Sequence, residues 1–254
     1  MLLVDVHAHL DLNEFDSDLD EVIKRAETAG VKAIISNGLN PESNRKTLEL
    51  SKKYKIVKPA FGLYPDDALK LTEKEIESEL NFIEKNKDKI AAIGEVGLDY
   101  KYCKKKQEQE LQKEIFLKII NLSKKINKPL IIHSRKAEQE IISILENSDA
   151  KKVVLHCFSG KLRLIKRAAG LGYYFSVPTN VVRSNQFQKL VEIVDINKLL
   201  TETDSPYLSP YKNKRNEPSF IIEAIKKIAE IKNISINETA NNIFMNYQKI
   251  FSIN

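Results

Sequence analysis

At 254 residues the chain has the length of one α/β barrel, although two ordinary domains would also fit. Hydrophobic residues make up 42% and charged residues 30%, a balance that excludes an intrinsically disordered protein. The net charge of +6 is too modest to argue for a polyanionic partner by itself.

In chain order, short apolar, β-rich runs fall at 2–7, 31–36, 56–62, 90–96, 129–133, 153–157, 173–177 and 199–203. Each is nearly all apolar, as expected for strands covered on both faces. Between them lie helical patterns, such as Leu19, Val22, Ile23 and Ala26 closed by Gly30, and Leu111, Ile115, Ile119 and Leu122. The last helix opens with Ser235 and Glu238 at capping-box spacing and runs through Ile243, Phe244, Tyr247 and Phe251. Alternation of this kind calls for a parallel sheet, either closed into a barrel or left open and doubly wound. No G-x-G-x-x-G follows any strand, and no linker or low-complexity tract divides the chain. The expected fold is α/β, a (β/α)₈ TIM barrel forming one domain over 1–254.

Two cysteines, Cys103 and Cys157, are too few for a disulfide framework. The opening MLLVDVHAHLD leaves no room for the apolar region of a signal peptide, and no apolar run is long enough to span a membrane. The expected location is the cytoplasm, with no membrane partner and no obligate protein partner evident.

The four histidines, His7, His9, His133 and His156, all fall at or just beyond the C-terminal end of an expected strand. Barrel enzymes carry their chemistry at that end, from several strands at once. A lone histidine is more often a satisfied structural residue, but four on one rim argue for a shared task. Period-two alternation puts Asp5, His7 and His9 on the interior side of strand 1, where two imidazoles can share a metal. Asp5 would then lie one layer deeper, either orienting an imidazole through its other nitrogen or paired as a structural acid. Glu95 ends strand 4 between Gly94 and Val96-Gly97, and Asp204 ends strand 8 two residues after Glu202. Acids at the ends of apolar strands need cations nearby, and four neutral imidazoles make a metal the simpler partner than lysine or arginine. Asp5 and Glu202 are candidates for the layer behind the ligands. Four histidines and two carboxylates exceed one closed tetrahedral site and suit two metals with open positions.

The motifs DVHAHLD (5–11), GEVGLDY (94–100), PLIIHSR (129–135), HCFSG (156–160), ETDSPYL (202–208) and KRNEP (214–218) occur in order along nearly the whole chain. Together they resemble the TatD family of metal-dependent deoxyribonucleases, within the wider amidohydrolase-like barrels. The resemblance implies that His7, His9 and Asp204 bind one metal, that His133 and His156 bind the other, and that Glu95 bridges them. A metal-bridging hydroxide would attack a phosphodiester in line, with Asp204 accepting its proton. Arg135, two residues after His133, points to the same side if the extended backbone continues and there would grip a phosphate, or else form a rim salt bridge. Arg215 would help it, or else hold the loop after strand 8. One segment departs from the family pattern: where G-x-H-P-H is usual, this chain reads Gly62-Leu63-Tyr64-Pro65-Asp66. Tyr64 and Asp66 thus stand where two substrate-facing histidines are expected, and an aspartate repels phosphate.

Loops at both ends of the expected barrel are rich in lysine, so charge adds little. Tyr100 and Tyr102 suit either stacking on the bases of a single strand or packing between loops. Cys157 is out of phase with His156 and reads as a packing residue, and Cys103 as a surface thiol. The leading function is a phosphodiesterase acting on DNA, with attack from a strand end favoured by a barrel mouth. An alternative is hydrolysis of an ester, amide or lactone, such as the ester of a mischarged tRNA removed by a D-aminoacyl-tRNA deacylase. A third is a non-catalytic binding barrel, which predicts missing ligands. The imidazole-rich set suits Zn²⁺, Mn²⁺, Fe²⁺ or Co²⁺, whereas the resemblance suggests Mg²⁺ as the working ion.

Overall fold

A computed structural model of the chain describes residues 1–251. Its strands are β1 (Leu3–Ala8), β2 (Val31–Asn37), β3 (Val57–Phe61), β4 (Ala92–Asp99), β5 (Leu130–Arg135), β6 (Val153–Leu155), β7 (Tyr174–Pro178) and β8 (Leu199–Glu202). The helices are α1 (Leu19–Thr28), α2 (Pro41–Lys53), α3 (Pro65–Ala68), α4 (Glu73–Lys85) and α5 (Lys106–Ile126) in the first half. They continue with α6 (Glu138–Asn147), α7 (Leu162–Gly170), α8 (Asn185–Ile193), α9 (Ile221–Lys232) and α10 (Ile236–Phe251). The strands form one sheet in the order β1 to β8, each pair parallel, which makes the expected (β/α)₈ barrel. No helix among the described residues is long and apolar enough to cross a membrane.

Every residue of β1, β4, β7 and β8 is buried, because helices cover the outside while side chains fill the inside. The seam between β8 and β1 closes in a different way from the other strand pairs. It has one isolated bridge, Ala8 with Ser205, reinforced by Asp204 N donating to His7 O at 2.8 Å and His9 N to Ser205 O at 2.8 Å. Deeper in the barrel the Thr201 hydroxyl donates to Val4 O at 2.8 Å. Two residues that follow on from the strand ladders, Asp204 and His9, therefore complete the closure.

Two boundary differences matter for the site. The β4 strand runs on to Asp99, three residues beyond the expected end, because it pairs with β5 through Asp99 and Arg135. The side chain of Gln112 also receives the Asp99 N–H at 3.0 Å. Gln112 is buried on α5, while Leu111, expected on the core face, is exposed. The β6 strand, in contrast, ends at Leu155, so His156 and Cys157 lie on the turn that follows it.

Glycine is required where β4 meets its neighbours. Gly97 has φ +142°, and a Cβ there would come 2.0 Å from His133 O. A Cβ on Gly62 would lie 2.4 Å from Glu95 N. These glycines let β4 approach closely enough to present Glu95 beside the residues of β5.

Outside the barrel, the buried carboxylate of Glu79 on α4 anchors α2. It accepts from Asn44 Nδ2 at 2.8 Å and from Arg45 Nη1 at 2.5 Å, and the Arg45 guanidinium lies 3.6 Å from the Phe82 ring centroid. Removing the arginine leaves a buried charge short of a donor. We expect Arg45→Ala to lower unfolding free energy by about 2 kcal/mol in urea denaturation, since an unpaired buried acceptor costs roughly that much. An unchanged denaturation midpoint would show that the pair is energetically idle.

Candidate metal centre

Glu95 points inward from β4 and is almost fully buried. Its two oxygens face different neighbours. Oε2 lies 3.3 Å from His7 Nε2 and 3.4 Å from His9 Nε2, while Oε1 lies 2.6 Å from His133 Nδ1 and 3.7 Å from His156 Nε2. Asp204 Oδ1 joins the first pair, at 3.7 Å from His7 Nε2 and 3.5 Å from His9 Nε2. The six residues named from the sequence as ligands thus converge on one point of the rim. Two triads of donor atoms, His7–His9–Glu95 and Glu95–His133–His156, each lie within 4.8 Å and share the carboxylate.

This donor set fits divalent metal ions. The Nε2 atoms of His7 and His9 face each other at 3.1 Å, an approach that a common cation satisfies. Among the described residues no lysine or arginine pairs with Glu95 or Asp204. Softer imidazole nitrogens with carboxylate oxygens suit Zn²⁺ or Mn²⁺.

Supporting contacts fix the rings. Glu202 Oε2 meets His156 Nδ1 at 2.8 Å and accepts from the Ser176 hydroxyl at 2.5 Å, while Oε1 accepts from Cys157 N at 2.9 Å. That leaves His156 Nε2 free to face Glu95. His9 Nδ1 lies 3.0 Å from Asn37 O. Asp5 touches no imidazole. Its carboxylate accepts from His7 N at 3.2 Å, Thr203 N at 2.9 Å and Thr203 Oγ1 at 2.5 Å, so it holds the backbones that carry His7 and Asp204. Asp204 itself has φ +55°, in the left-handed region that aspartate tolerates better than most side chains.

Sequence reasoning overlooked Asp99. Its Oδ2 lies 2.9 Å from His133 Nε2 and accepts from the Tyr64 hydroxyl at 2.9 Å. Residues 95, 97 and 99 share a face of β4, so a strand extended to 99 would have revealed it. The contact to Asn37 O is a backbone one, and no side-chain pattern announces it.

The substrate candidates divide. Tyr64 stands within the site, its hydroxyl 3.5 Å from His133 Nε2. Asp66 lies beside it and accepts from Gln112 Nε2 at 3.1 Å; burial first, then Asp99, pushes its pKa up. Arg135 is exposed at the end of β5, with its guanidinium against Tyr102. Arg215 points away: it donates to Glu14 O and to both Asp18 oxygens, with its guanidinium 4.6 Å from the Phe15 ring centroid. It holds the loop after β8, as does Glu217 through its paired bonds to Arg25 at 2.9 and 2.7 Å. Cys103 is 3% exposed, so it is not a surface thiol. Burial raises its pKa, and the Glu108 carboxylate adds to the effect.

Electrostatics bind the cluster together. Burial opposes ionisation of Glu95, but His7 and His133 outweigh it and hold its pKa well below the carboxylate range. Burial likewise disfavours charge on His9, yet Asp204 and Glu95 push its pKa up to about 9. For His156, Glu202 overcomes burial and raises the pKa to about 10. His7 is driven the other way, chiefly by burial and the adjacent His156.

Similarity to known proteins bears directly on this centre. A family model described as TatD related DNase matches residues 4–252. The human protein named deoxyribonuclease TATDN3 is 37% identical over 98% of this chain and 94% of its own length. YabD of Bacillus subtilis, an uncharacterized metal-dependent hydrolase, is 34% identical over the full length of both. The crystal structure of YJJV, a TatD homologue from Escherichia coli, superposes with a TM-score of 0.91 at 26% identity, covering 99% of this chain and 98% of that one.

Protons and metal compete for these rings. Asp204 and Glu95 favour the protonated form of His9, and Glu202 that of His156, so protons compete with a metal for these rings and affinity falls as pH drops. We expect calorimetric titration of the metal-free protein with Zn²⁺ at neutral pH to show proton release in buffers of different ionisation enthalpy. Glu202→Gln should weaken binding about 10- to 100-fold, the usual effect of losing the partner behind a metal-bound histidine. Affinity that is independent of pH and unaffected by the substitution would contradict both the protonation states and the ligand roles.

Proposed function

Because the chain belongs to the TatD-related DNase family, we propose that it hydrolyses phosphodiester bonds in DNA with two bound divalent metal ions. The observation that carries this reading is the division of Glu95, with Oε2 toward His7 and His9 and Oε1 toward His133 and His156. In this reading His7, His9 and Asp204 would hold one ion, His133 and His156 would hold the other, and Glu95 would contribute to both. When bound, the ions supply Lewis-acid polarisation of the phosphoryl oxygen and a water acidified toward neutrality.

The remaining work falls to the chain. Asp204 receives the proton of the attacking water at its carboxylate. Its side chain is 15% exposed, against 4% for Glu95 and 0% for Glu202, so it alone of the three reaches solvent. Glu202 keeps the proton of His156 on Nδ1 and thereby fixes which nitrogen faces the reaction. Asp99 and Tyr64 hold the His133 ring from its other side. Arg135, exposed on the rim, contacts a phosphate oxygen of the substrate. Arg215 has no part in binding, since its donors are engaged by Asp18 and Glu14. A cytoplasmic setting belongs to the same proposal, and both cysteines are free thiols.

The Tyr64–Asp66 segment favours a second reading. It presents a hydroxyl and a carboxylate where phosphate-binding histidines are expected, which suits an ester or amide substrate, including the ester of a mischarged tRNA. A non-catalytic barrel gains no support, because all six proposed ligands are in place.

The two enzymatic readings separate on an end-labelled single-stranded oligonucleotide given to metal-free protein with Mg²⁺, Mn²⁺ or Zn²⁺ restored. We expect metal-dependent shortening that Asp204→Ala reduces by about 100- to 10,000-fold, the range for loss of a general base. Absence of cleavage with metal bound would overturn the phosphodiesterase reading in favour of ester or amide hydrolysis.

A further inference from the structure

The chain has nine tyrosines. The three that are exposed are Tyr102 (60%), Tyr207 (52%) and Tyr211 (43%). All three lie on loops after β4 or β8, on the rim that carries the metal centre. Tyr211 is engaged edge-to-face with Phe220, at 5.0 Å between centroids. Tyr100, close to Tyr102 in the chain, is half-buried and donates its hydroxyl to Glu140 at 2.9 Å. Tyr102 is different: among the described residues no aromatic side chain packs on it, and its close companions are cations.

Lys101 Nζ lies 5.2 Å from the Tyr102 ring centroid, and the Arg135 guanidinium lies 5.4 Å from it. Arg135 also donates from Nη1 to the Tyr102 hydroxyl at 3.4 Å. Among the described residues neither cation pairs with a carboxylate, in contrast to Arg215 and Arg25 on the opposite side of the mouth. An exposed aromatic ring with two cations over it that pair with no carboxylate matches one nucleotide, with its flat base and its phosphate. The position is fixed relative to the chemistry. Arg135 follows His133 by two residues on β5, and Tyr102 follows Asp99 by three, Asp99 being the residue in contact with His133.

We propose that Tyr102, Lys101 and Arg135 form a subsite that holds one unpaired nucleotide next to the scissile phosphate, its base on the ring and its phosphate on the cations. The inference rests on the phosphodiesterase reading and narrows it. In a duplex both faces of each internal base are covered by its neighbours, so the ring has no partner there. An unpaired strand offers a free face at every base. Tyr207, three residues after Asp204, stands across the mouth from this subsite, because the β4–β5 and β8–β1 edges are opposite in the barrel.

The chain contains no tryptophan, so Tyr102→Trp introduces a single reporter that keeps an aromatic face. Binding is read on metal-loaded protein with a phosphorothioate oligothymidylate that resists cleavage. We expect its emission to be quenched as the oligonucleotide saturates, with a duplex of equal length quenching far less. Tyr102→Ala should weaken binding about 10- to 100-fold by fluorescence anisotropy, and Tyr102→Phe by no more than about twofold. The alanine defect should vanish on an abasic backbone of the same length, a result that loss of fold or of charge would not produce. Lys101→Ala should flatten the dependence of log affinity on log salt by about 0.7, one phosphate contact. Saturable binding without quenching, or equal quenching by duplex, overturns the subsite. If the wild-type protein cleaves oligonucleotides while Tyr102→Trp shows no quenching, the subsite fails and the phosphodiesterase reading survives. Quenching with no cleavage under any metal upholds the subsite as a place for nucleotides and overturns the phosphodiesterase reading.

Discussion

Glu95 is a carboxylate buried in an apolar barrel, and its neutralisation organises everything around it. A charge in such a place is tolerated only if opposite charge or several donors meet it at close range. The protein meets this demand with four imidazoles, from β1 and the residue just after it, from β5 and from the turn after β6. A lysine would compensate Glu95 permanently and leave nothing to exchange. Imidazoles compensate it as protonated rings or, once deprotonated, as ligands to a cation that serves the same purpose. The same geometry therefore stabilises the folded chain and defines the place where a metal belongs. The outer residues follow from this arrangement: Glu202 holds His156, and Ser176 and the Cys157 amide hold Glu202.

Much of this was legible in the sequence because barrel chemistry is written at strand ends. Eight apolar runs set the strand count, and the coincidence of every histidine with a run's C-terminal end located the rim. Motif order then tied the rim to a family. What stayed hidden depended on side chains meeting across elements. Asp5 illustrates this: period-two alternation put it on the side of His7, but only the fold reveals that its oxygens are taken by Thr203 and a backbone amide. Asp99 was missed because a glycine inside the run, Gly97, looks like an end, whereas it is what lets β4 continue against β5. For Arg215, spacing allowed two destinations, and Asp18 and Phe15, distant in sequence, determine the one it takes.

The departure at Tyr64 and Asp66 leaves the six clustered residues untouched while changing what surrounds them. The Tyr64 hydroxyl is drawn into the Asp99–His133 contact, so the residue that replaces a histidine supports a ring of the centre. Asp66 is restrained by Gln112, which also receives the Asp99 amide. One buried glutamine on α5 thus sets the positions of two carboxylates near the mouth, and the substrate-facing wall is built as a unit rather than residue by residue.

The seam of the barrel has a consequence for the life of the molecule before it is finished. Asp5 and Thr203 clasp each other across 198 residues, and His7 O receives the Asp204 amide over almost the same span. The first strand therefore waits for the last. A chain emerging from the ribosome presents its early histidines in an unclosed sheet that lacks Asp204, and contacts between such distant segments are the slowest to form. The centre cannot be assembled before β8 and Asp204 have been made, so a product truncated before residue 204 is left without the carboxylate that the proposed chemistry uses.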